Sequence, residues 1–286
     1  MSVSLSFSRS PLALSIALAL ASAAHAQGLV APQPLSQDDS ALTLGTISIT
    51  SKASGPLSTR SVFSSVDIVG ADILDHEHVD YSWELLSKAP GVQVTQLKQG
   101  TDAGRFSFRG FNGEGRINAV KLLIDGIPSN DNAGGMPFLD AVFPLDIEAI
   151  EIVRGTNDAR YGLNNIAGNA NVITRTGGNE GRASVTVGSF GTQELQVSKG
   201  IESGNWSQNY FLAWRDSDGY RDHADARKLS LSGKWFYTSD DGRWRTGMIA
   251  RYYRNKALES GYLSYEEAIK APRSSPAYAA ADRGER

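Results

Sequence analysis

The sequence has 286 residues, enough for one or two domains with a buried core, and a net charge of −3 from 28 Lys and Arg against 31 Asp and Glu. Without a bulk positive field, the chain is not expected to bind nucleic acid. The sequence contains no cysteine, so disulfide bonds within it are excluded.

The N-terminus has the pattern of a secretory signal. Arg9 precedes an apolar run at residues 11–24 that is too short to span a bilayer, and the run ends in the small-residue site Ala24-His25-Ala26. We therefore predict a signal peptide at residues 1–26, with a buried N-terminal helix as the alternative. An exported chain without cysteine must be held together by packing or by a closed hydrogen-bond ladder. No second long apolar segment follows, so a helical inner-membrane protein is not expected.

A polar leader is predicted at residues 27–58, with Pro32 and Pro34 near its start. Within it, β-branched and polar side chains alternate over five residues, Thr46, Ile47, Ser48, Ile49 and Thr50. Such a segment suits strand addition, in which an extended peptide pairs with the exposed sheet edge of a partner protein. The alternative is a first strand of the local fold.

Residues 59–178 are predicted to form a small α+β domain with glycine at nearly every turn. An amphipathic helix is predicted from apolar residues at helical spacing, namely Trp83, Leu85, Leu86 and Ala89. Pro90-Gly91 ends this helix, and strand-like apolar runs lie on both sides of it. The sequence has no nucleophile elbow and no spaced catalytic cluster, so enzyme activity is not expected.

Several stretches of this domain resemble the plug-domain signatures of TonB-dependent outer-membrane receptors. They are "LLSKAPGVQV", "FSFRGF", "LLIDGIPSND", "IEAIEIVRGTNDARYG" and "NIAGNANVITR", in the order in which that family has them. "TISIT", at residues 46–50, stands where the family carries its TonB box. The resemblance implies a plug domain at residues 59–178, built on a mixed β-sheet, followed by a transmembrane antiparallel β-barrel.

The resemblance also suggests a role for the apolar run at residues 120–127, which carries Asp125-Gly126 near its end. In a plug, residues 122–127 of this run would be a buried central strand. Asp125-Gly126 would make a tight bend, with Gly126 free to take a positive φ. The small polar residues 129–135 would then form an apical loop that faces a ligand, with a plain solvated turn as the alternative.

Beyond Gly177-Gly178 the pattern changes to strands of about ten residues with apolar side chains on one face. In one of them Leu229 and Leu231 alternate with Ser230 and Ser232. Tryptophan and tyrosine near strand ends are typical of transmembrane β-strands, although a soluble sandwich would also alternate. We predict that residues 180–286 begin a β-barrel with about five strands. Plugged outer-membrane transporters close at about 22 strands, so we expect the N-terminal part of a longer receptor.

The resemblance implies active import of a ferric siderophore or ferric citrate across the outer membrane of a Gram-negative bacterium. The implied partners are TonB, with ExbB and ExbD, and outer-membrane lipid. No cofactor and no resident metal are expected. Cobalamin, haem, a copper chelate and a saccharide are alternative cargoes, while an energy-independent channel and a surface binding protein are alternative functions.

Two further groups of site residues are predicted. Arg109 and Arg154 each precede a glycine, and the resemblance implies that these arginines pair with carboxylates of the barrel wall. Candidate ligand contacts at the apex of the plug are two cations and two amides, Arg105, Arg116, Asn130 and Asn132. Cations beside amides suit an anionic chelate, because charge-assisted hydrogen bonds are stronger than neutral ones.

Overall fold

The computed structural model describes residues 65–74, 77, 79, 81–99, 102–111, 119–131, 136, 139–155 and 165–285. The predicted signal peptide and the predicted TonB box at residues 46–50 lie outside these ranges. Within them, no helix is both long enough and apolar enough to cross a membrane.

The described residues from 65 to 174, called the plug region below, contain seven strands in two sheets. One sheet is mixed, in the order β1-β6-β7-β4-β5, with β4 and β7 parallel. Its strands are β1 (Ser65–Val69), β4 (Val120–Ile124), β5 (Ile127–Pro128), β6 (Ile147–Arg154) and β7 (Gly168–Thr174). The other sheet is an antiparallel pair, β2 (Val92–Gln99) and β3 (Asp102–Phe108).

Short helices connect these strands. A one-turn α-helix covers Ala71–Leu74, and 3₁₀ helices cover Ser82–Lys88 and Pro144–Asp146. The second of the three is the predicted amphipathic helix, and it is 3₁₀ rather than α. It ends at Ala89, whose ψ of 134° is extended, because the residue before a proline is driven out of the helical region.

The core of the plug region lies between the mixed sheet and the 3₁₀ helix Ser82–Lys88. The helix buries Trp83, Leu85 and Leu86, as its apolar spacing predicts. Side chains from one face of the sheet and from β3 complete the core, notably Val120, Leu122, Ile150, Ile152, Ala170, Phe106 and Phe108. This burial fixes the mixed sheet as the scaffold from which the turns project.

The predicted bend at Asp125-Gly126 is confirmed. Asp125 has a φ of 54° and Gly126 a φ of 80°, as a type I′ turn between β4 and β5 requires. The predicted buried central strand is only partly correct. The four residues of β4 that precede Ile124 are buried, but β4 lies one short strand in from the edge of the sheet, and Ile127, beyond the turn, is exposed. The turn therefore projects from a strand that the core holds rigidly.

The second half of the chain is an antiparallel sheet, called the long-strand sheet, in the order β13-β12-β11-β10-β9-β8. Its members are β8 (Gly181–Val187), β9 (Gln193–Ser203), β10 (Trp206–Ser217), β11 (Ala226–Thr238), β12 (Arg245–Leu258) and β13 (Arg283–Glu285). The first five are the predicted strands, whereas β13 was not predicted. An α-helix, Tyr265–Lys270, and a 3₁₀ helix, Ala277–Ala281, lie between β12 and β13.

The two faces of the long-strand sheet have opposite character. On one face apolar side chains are exposed, including Val197, Leu212, Leu231, Met248 and Tyr252. On the other face polar side chains are buried, including Gln196, Ser198, Asn209, Ser230, Lys234 and Asn255. A soluble sandwich would bury its apolar face, so this distribution favours strands whose apolar side meets lipid.

Aromatic rings cluster at one end of the exposed apolar face. Tyr237 lies between Trp206 and Trp244, with ring centroids 5.4 and 5.7 Å apart. Tyr210 meets Trp235 edge to face at 5.8 Å, and the indole N–H donates to the tyrosine hydroxyl at 3.0 Å. This end of the sheet carries the short β9–β10 and β11–β12 turns. The cluster has the position and composition of the predicted aromatic girdle.

Candidate functional site

The candidate site is the contact between the plug region and the polar face of the long-strand sheet. The plug region contributes the β4–β5 turn, the end of β7 and the segment from 139 to 147, and the facing side chains come from β9, β10, β11 and β12. The contact is dominated by ion pairs between plug carboxylates and strand cations, at Asp125, Asp140 and Asp146 on one side and Lys228, Lys234 and Arg251 on the other.

Asp125, in the β4–β5 turn, is the centre of the first cluster. Its carboxylate accepts from Lys234 Nζ at 2.8 Å and from Arg251 Nη2 at 3.4 Å. Thr174, at the end of β7, donates to the same carboxylate through its backbone N–H at 2.8 Å. Lys234 also donates to the Thr174 carbonyl at 2.7 Å, so turn, strand end and long-strand sheet are joined at one point. The positive φ at Asp125 thus serves to place a carboxylate in this contact.

Asp146 lies beside this cluster and is fully buried. Arg251 bridges the two carboxylates, because its Nη1 lies 3.2 Å from Asp146 while its Nη2 reaches Asp125. Burial raises the pKa of Asp146, and the positive charges of Arg251 and Lys234 oppose that shift. Desolvation disfavours the charged form of a buried carboxylate, and the two cations offset part of that cost.

Asp140 and Lys228 form the second cluster, and both side chains are buried. Their ammonium and carboxylate groups are in direct contact, and Asp140 also accepts from the Tyr253 hydroxyl at 3.1 Å. The ring of Tyr81, from the plug region, lies 4.8 Å from Lys228 Nζ and 4.9 Å from Arg215 Cζ. One aromatic ring thus neighbours two cations of the long-strand sheet.

Neutral contacts fill the space between the two clusters. The Leu145 amide donates to Gln196 Oε1 at 3.0 Å, and Ser230 Oγ donates to the Ala141 carbonyl at 3.0 Å. Phe143 packs on Phe211 with ring centroids 6.4 Å apart. Backbone groups of the segment from 139 to 147 therefore find partners on the strands, as buried backbone groups must.

The buried ion pairs of this contact were not predicted from the sequence. Plug arginines were expected to meet carboxylates of the wall, but the buried pairs described here have their acids on the plug region and their bases on the strands. The ion pair of Arg154 is made within the plug region, with Asp67 of β1. The reason is the register: Ser65 lies opposite Arg154, so Asp67 is its diagonal neighbour on the same face.

Arg109 and Arg154 have similar surroundings, because the guanidinium group of each lies beside a glycine. Arg109 has a φ of 50°, and a Cβ added at Gly155 would lie 3.5 Å from its Nη1. A Cβ added at Gly91 would likewise lie 3.4 Å from Arg154 Nη1, and Arg154 donates to the Pro90 carbonyl. Each arginine therefore lies over a glycine. Pairing of either with a wall carboxylate stays a prediction.

The candidate ligand contacts are only partly described. Arg116 and Asn132 lie outside the described residues, and Arg105 is half-buried in β3 opposite Thr95. Asn130 accepts from the Leu122 amide at 2.7 Å and donates to the Val120 carbonyl at 3.2 Å. Its side-chain amide therefore covers the edge of β4, and a role in ligand contact stays a prediction.

The three plug carboxylates were missed as site residues by sequence reasoning. A signal was present, because Lys228 and Lys234 fall at polar-face positions of a strand whose other face is apolar. Cations at such positions within a transmembrane strand need buried partners.

The plug region is bound to the polar face of strands whose apolar face is exposed. These two features define the class of plugged outer-membrane β-strand proteins. Comparison with known proteins gives the family. Residues 58–169 match the model of the TonB-dependent Receptor Plug Domain. The chain therefore carries the plug domain of TonB-dependent receptors, which are outer-membrane proteins of Gram-negative bacteria, and its fold matches the plug and the first barrel strands of such a receptor.

Individual relatives support this assignment. The vitamin B12 transporter BtuB of Vibrio vulnificus (strain CMCP6) is 31% identical over 113 residues, 40% of this chain and 18% of the relative. The rhizobactin receptor of Rhizobium meliloti (strain 1021) is 24% identical over 263 residues, 83% of this chain and 34% of the relative. The solved structure of the ferric citrate transporter FecA, in its unliganded form, has the same fold, with a TM-score of 0.60 and 21% identity over 74% of this chain and 34% of that chain. The chain thus spans about a third or less of the length of these relatives.

Proposed function

We propose that the receptor to which this chain belongs imports a ferric chelate, a siderophore or ferric citrate, across the outer membrane by TonB-dependent active transport. The observation that carries the proposal is the plug region held on the polar face of the strands by buried ion pairs. A plug fixed in this way must be displaced before cargo passes, and displacement separates charges that are buried. Such a step needs an energy source.

In this proposal the energy comes from the proton-motive force through TonB with ExbB and ExbD. The segment at residues 46–50 is the proposed TonB box, which would add as a strand to an edge of TonB. Outer-membrane lipid would surround the exposed apolar face of the long-strand sheet. The proposal includes no catalytic step, and the relatives named above are transporters and receptors.

A ferric chelate is the preferred cargo for two reasons. The rhizobactin receptor aligns over most of this chain, and the ferric citrate transporter has the same fold. The apical candidates Arg105 and Arg116, with Asn130 and Asn132, would add charge-assisted hydrogen bonds to an anionic chelate. Cobalamin is the second candidate, because relatives named as vitamin B12 transporters are 24–31% identical over their aligned parts.

Growth on single nutrient sources tests the cargo. The gene for the full-length receptor is deleted in its host, and growth is measured under iron limitation on ferric citrate and on a panel of ferric siderophores. The proposal predicts that growth fails on at least one iron source and is restored by the gene on a plasmid. If growth is normal on every iron source while cobalamin-dependent growth fails, the cargo is cobalamin and the iron proposal is wrong.

A further inference from the structure

The ion pairs between the plug region and the strands have a consistent sign. The strands, which stay in the membrane, carry the cations, and the plug region, which must move for transport, carries the carboxylates. A contact that only held the plug in place would work equally well with the signs exchanged. The sign matters once the plug has moved, because the surface left behind is then positive.

These cations line one path on the polar face. Lys228 and Lys234 lie on the same face of β11, six residues and therefore about 20 Å apart along the strand. Arg251, on β12, lies opposite Ser232, between the two lysines. Arg215 lies opposite Lys228 on β10, where it pairs with Glu194 at 3.0 Å. The path therefore runs along most of β11.

At rest Lys228, Lys234 and Arg251 are each bound by a carboxylate of the plug region. Lys234 Nζ lies 2.8 Å from Asp125 Oδ1, and Arg251 presents two nitrogens to two different carboxylates. Lys228 is in contact with Asp140 in a buried position. The plug carboxylates thus occupy a site suited to carboxylate ligands.

We propose that Lys228, Lys234 and Arg251 form a transit site for the anionic groups of the cargo, which the carboxylates of Asp125, Asp140 and Asp146 fill while the plug is at rest. The proposal rests on the function proposed above and specifies the cargo as a carboxylate-bearing, anionic chelate. Displacing the plug would separate these cations from their carboxylate partners, which is costly. An anionic cargo that entered would restore the pairing and so favour the displaced state, whereas a neutral cargo would not.

The test uses citrate as the probe and purified full-length receptor in detergent, so it is independent of transport. The reporter is hydrogen exchange at the Thr174 amide, which donates to Asp125 at 2.8 Å and is released when the cluster opens. A ligand that binds only the open state raises its population by the factor 1 + [L]/Kd, about tenfold at a concentration ten times Kd. We expect citrate to accelerate this exchange by that factor, relative to sodium chloride at equal ionic strength.

Two variants locate the effect. Asp125→Asn combined with Lys234→Gln removes equal and opposite charges, and should reduce the response to citrate severalfold. Lys234→Arg retains the cation and should retain the response. The matched control is Asp216→Asn with Arg227→Gln, which neutralises an exposed pair at 2.7 Å on the other face and should respond as wild type does. If the double variant at Lys234 does not fold, Asp140→Asn with Lys228→Gln takes its place, read at the Leu145 amide.

Several outcomes would overturn the proposal. Equal acceleration by chloride and citrate would mean that salt screening alone loosens the cluster. An unchanged response in the variants that lose Lys234 or Lys228 would place the citrate site elsewhere. Neither result bears on import itself, which the growth experiment tests separately.

Discussion

The buried pair between Lys228 and Asp140 offers the sharpest test of how the plug is held. Both side chains are 4% exposed, and they join β11 to the plug segment that precedes the 3₁₀ helix Pro144–Asp146. Lys228→Met keeps the apolar stem of the side chain and removes its charge. Asp140 would then retain the Tyr253 hydroxyl at 3.1 Å, a neutral donor, as its described partner on the strands.

The structure sets the expected magnitudes. Removing one member of a buried ion pair costs about 3–5 kcal/mol, because the other charge is left uncompensated. Asp140→Asn should cost less, since Lys228 keeps the Tyr81 ring at 4.8 Å and a desolvated cation–π contact contributes about 2 kcal/mol. The double variant Lys228→Met with Asp140→Asn should recover most of the loss, because a neutral pair carries no unpaired charge.

Hydrogen exchange at the Leu145 amide measures the effect in the full-length receptor, because that amide donates across the contact to Gln196. Each 1.4 kcal/mol is a factor of ten, so Lys228→Met should accelerate exchange by about two to four orders of magnitude. The control Arg227→Gln breaks an exposed pair and should change exchange by less than about tenfold. The reasoning would be refuted if Lys228→Met behaved like this control, or if the double variant exchanged as fast as the single one.

Three further predictions concern other parts of the chain. Burial raises the native pKa of Asp146 above 3.8, so the contribution of Asp146 to plug stability is fully present below that pH and is lost as the pH rises through the native pKa. Asp146→Asn should remove this decline when hydrogen exchange of the plug region is measured over a pH series. A decline that is unchanged in the variant would show that Asp146 is not its source. Leu231→Arg, on the exposed apolar face, should destabilise the receptor in lipid vesicles by about 2–4 kcal/mol in urea titrations. Thr246→Arg, near a strand end on the same face, should cost about 0–1 kcal/mol, and equal costs would count against a lipid-facing surface. Ile47→Pro should abolish uptake while cargo binding to whole cells persists, because proline removes a donor needed for strand addition; uptake at the wild-type rate would show that residues 46–50 are not the TonB box.

Much of the fold could be predicted because its patterns are local. Alternation of Leu229 and Leu231 with Ser230 and Ser232 is enough to predict a two-faced strand, and Asp-Gly after an apolar run is enough to predict a tight hairpin turn. The 3₁₀ form of Ser82–Lys88 could not be predicted, because apolar spacing over seven residues fits either helix type. The three-residue strand β13 has no apolar alternation, and it forms where Glu285 meets Lys256 on β12.

The site was less predictable because its pairs are distant in sequence. Asp125 and Lys234 are 109 residues apart, and nothing local to either residue names the other as its partner. The Arg-Gly motifs at Arg109 and Arg154 directed attention to plug arginines, whereas Asp125 was assigned only to a tight bend and the other two acids were assigned no role. A cation on the polar face of a transmembrane strand requires a buried partner, but only the docked plug identifies the partner.

The central claim is that the plug, held on the strands by buried ion pairs, is displaced by energy from TonB so that cargo can enter. The direct measurement is initial uptake of the radiolabelled nutrient identified by the growth panel, in cells with the full-length receptor, before and after an uncoupler collapses the proton-motive force. Our account predicts that uptake stops while surface binding of the nutrient remains. Uptake that continued at the same rate in uncoupled cells would contradict it and would establish an energy-independent channel instead.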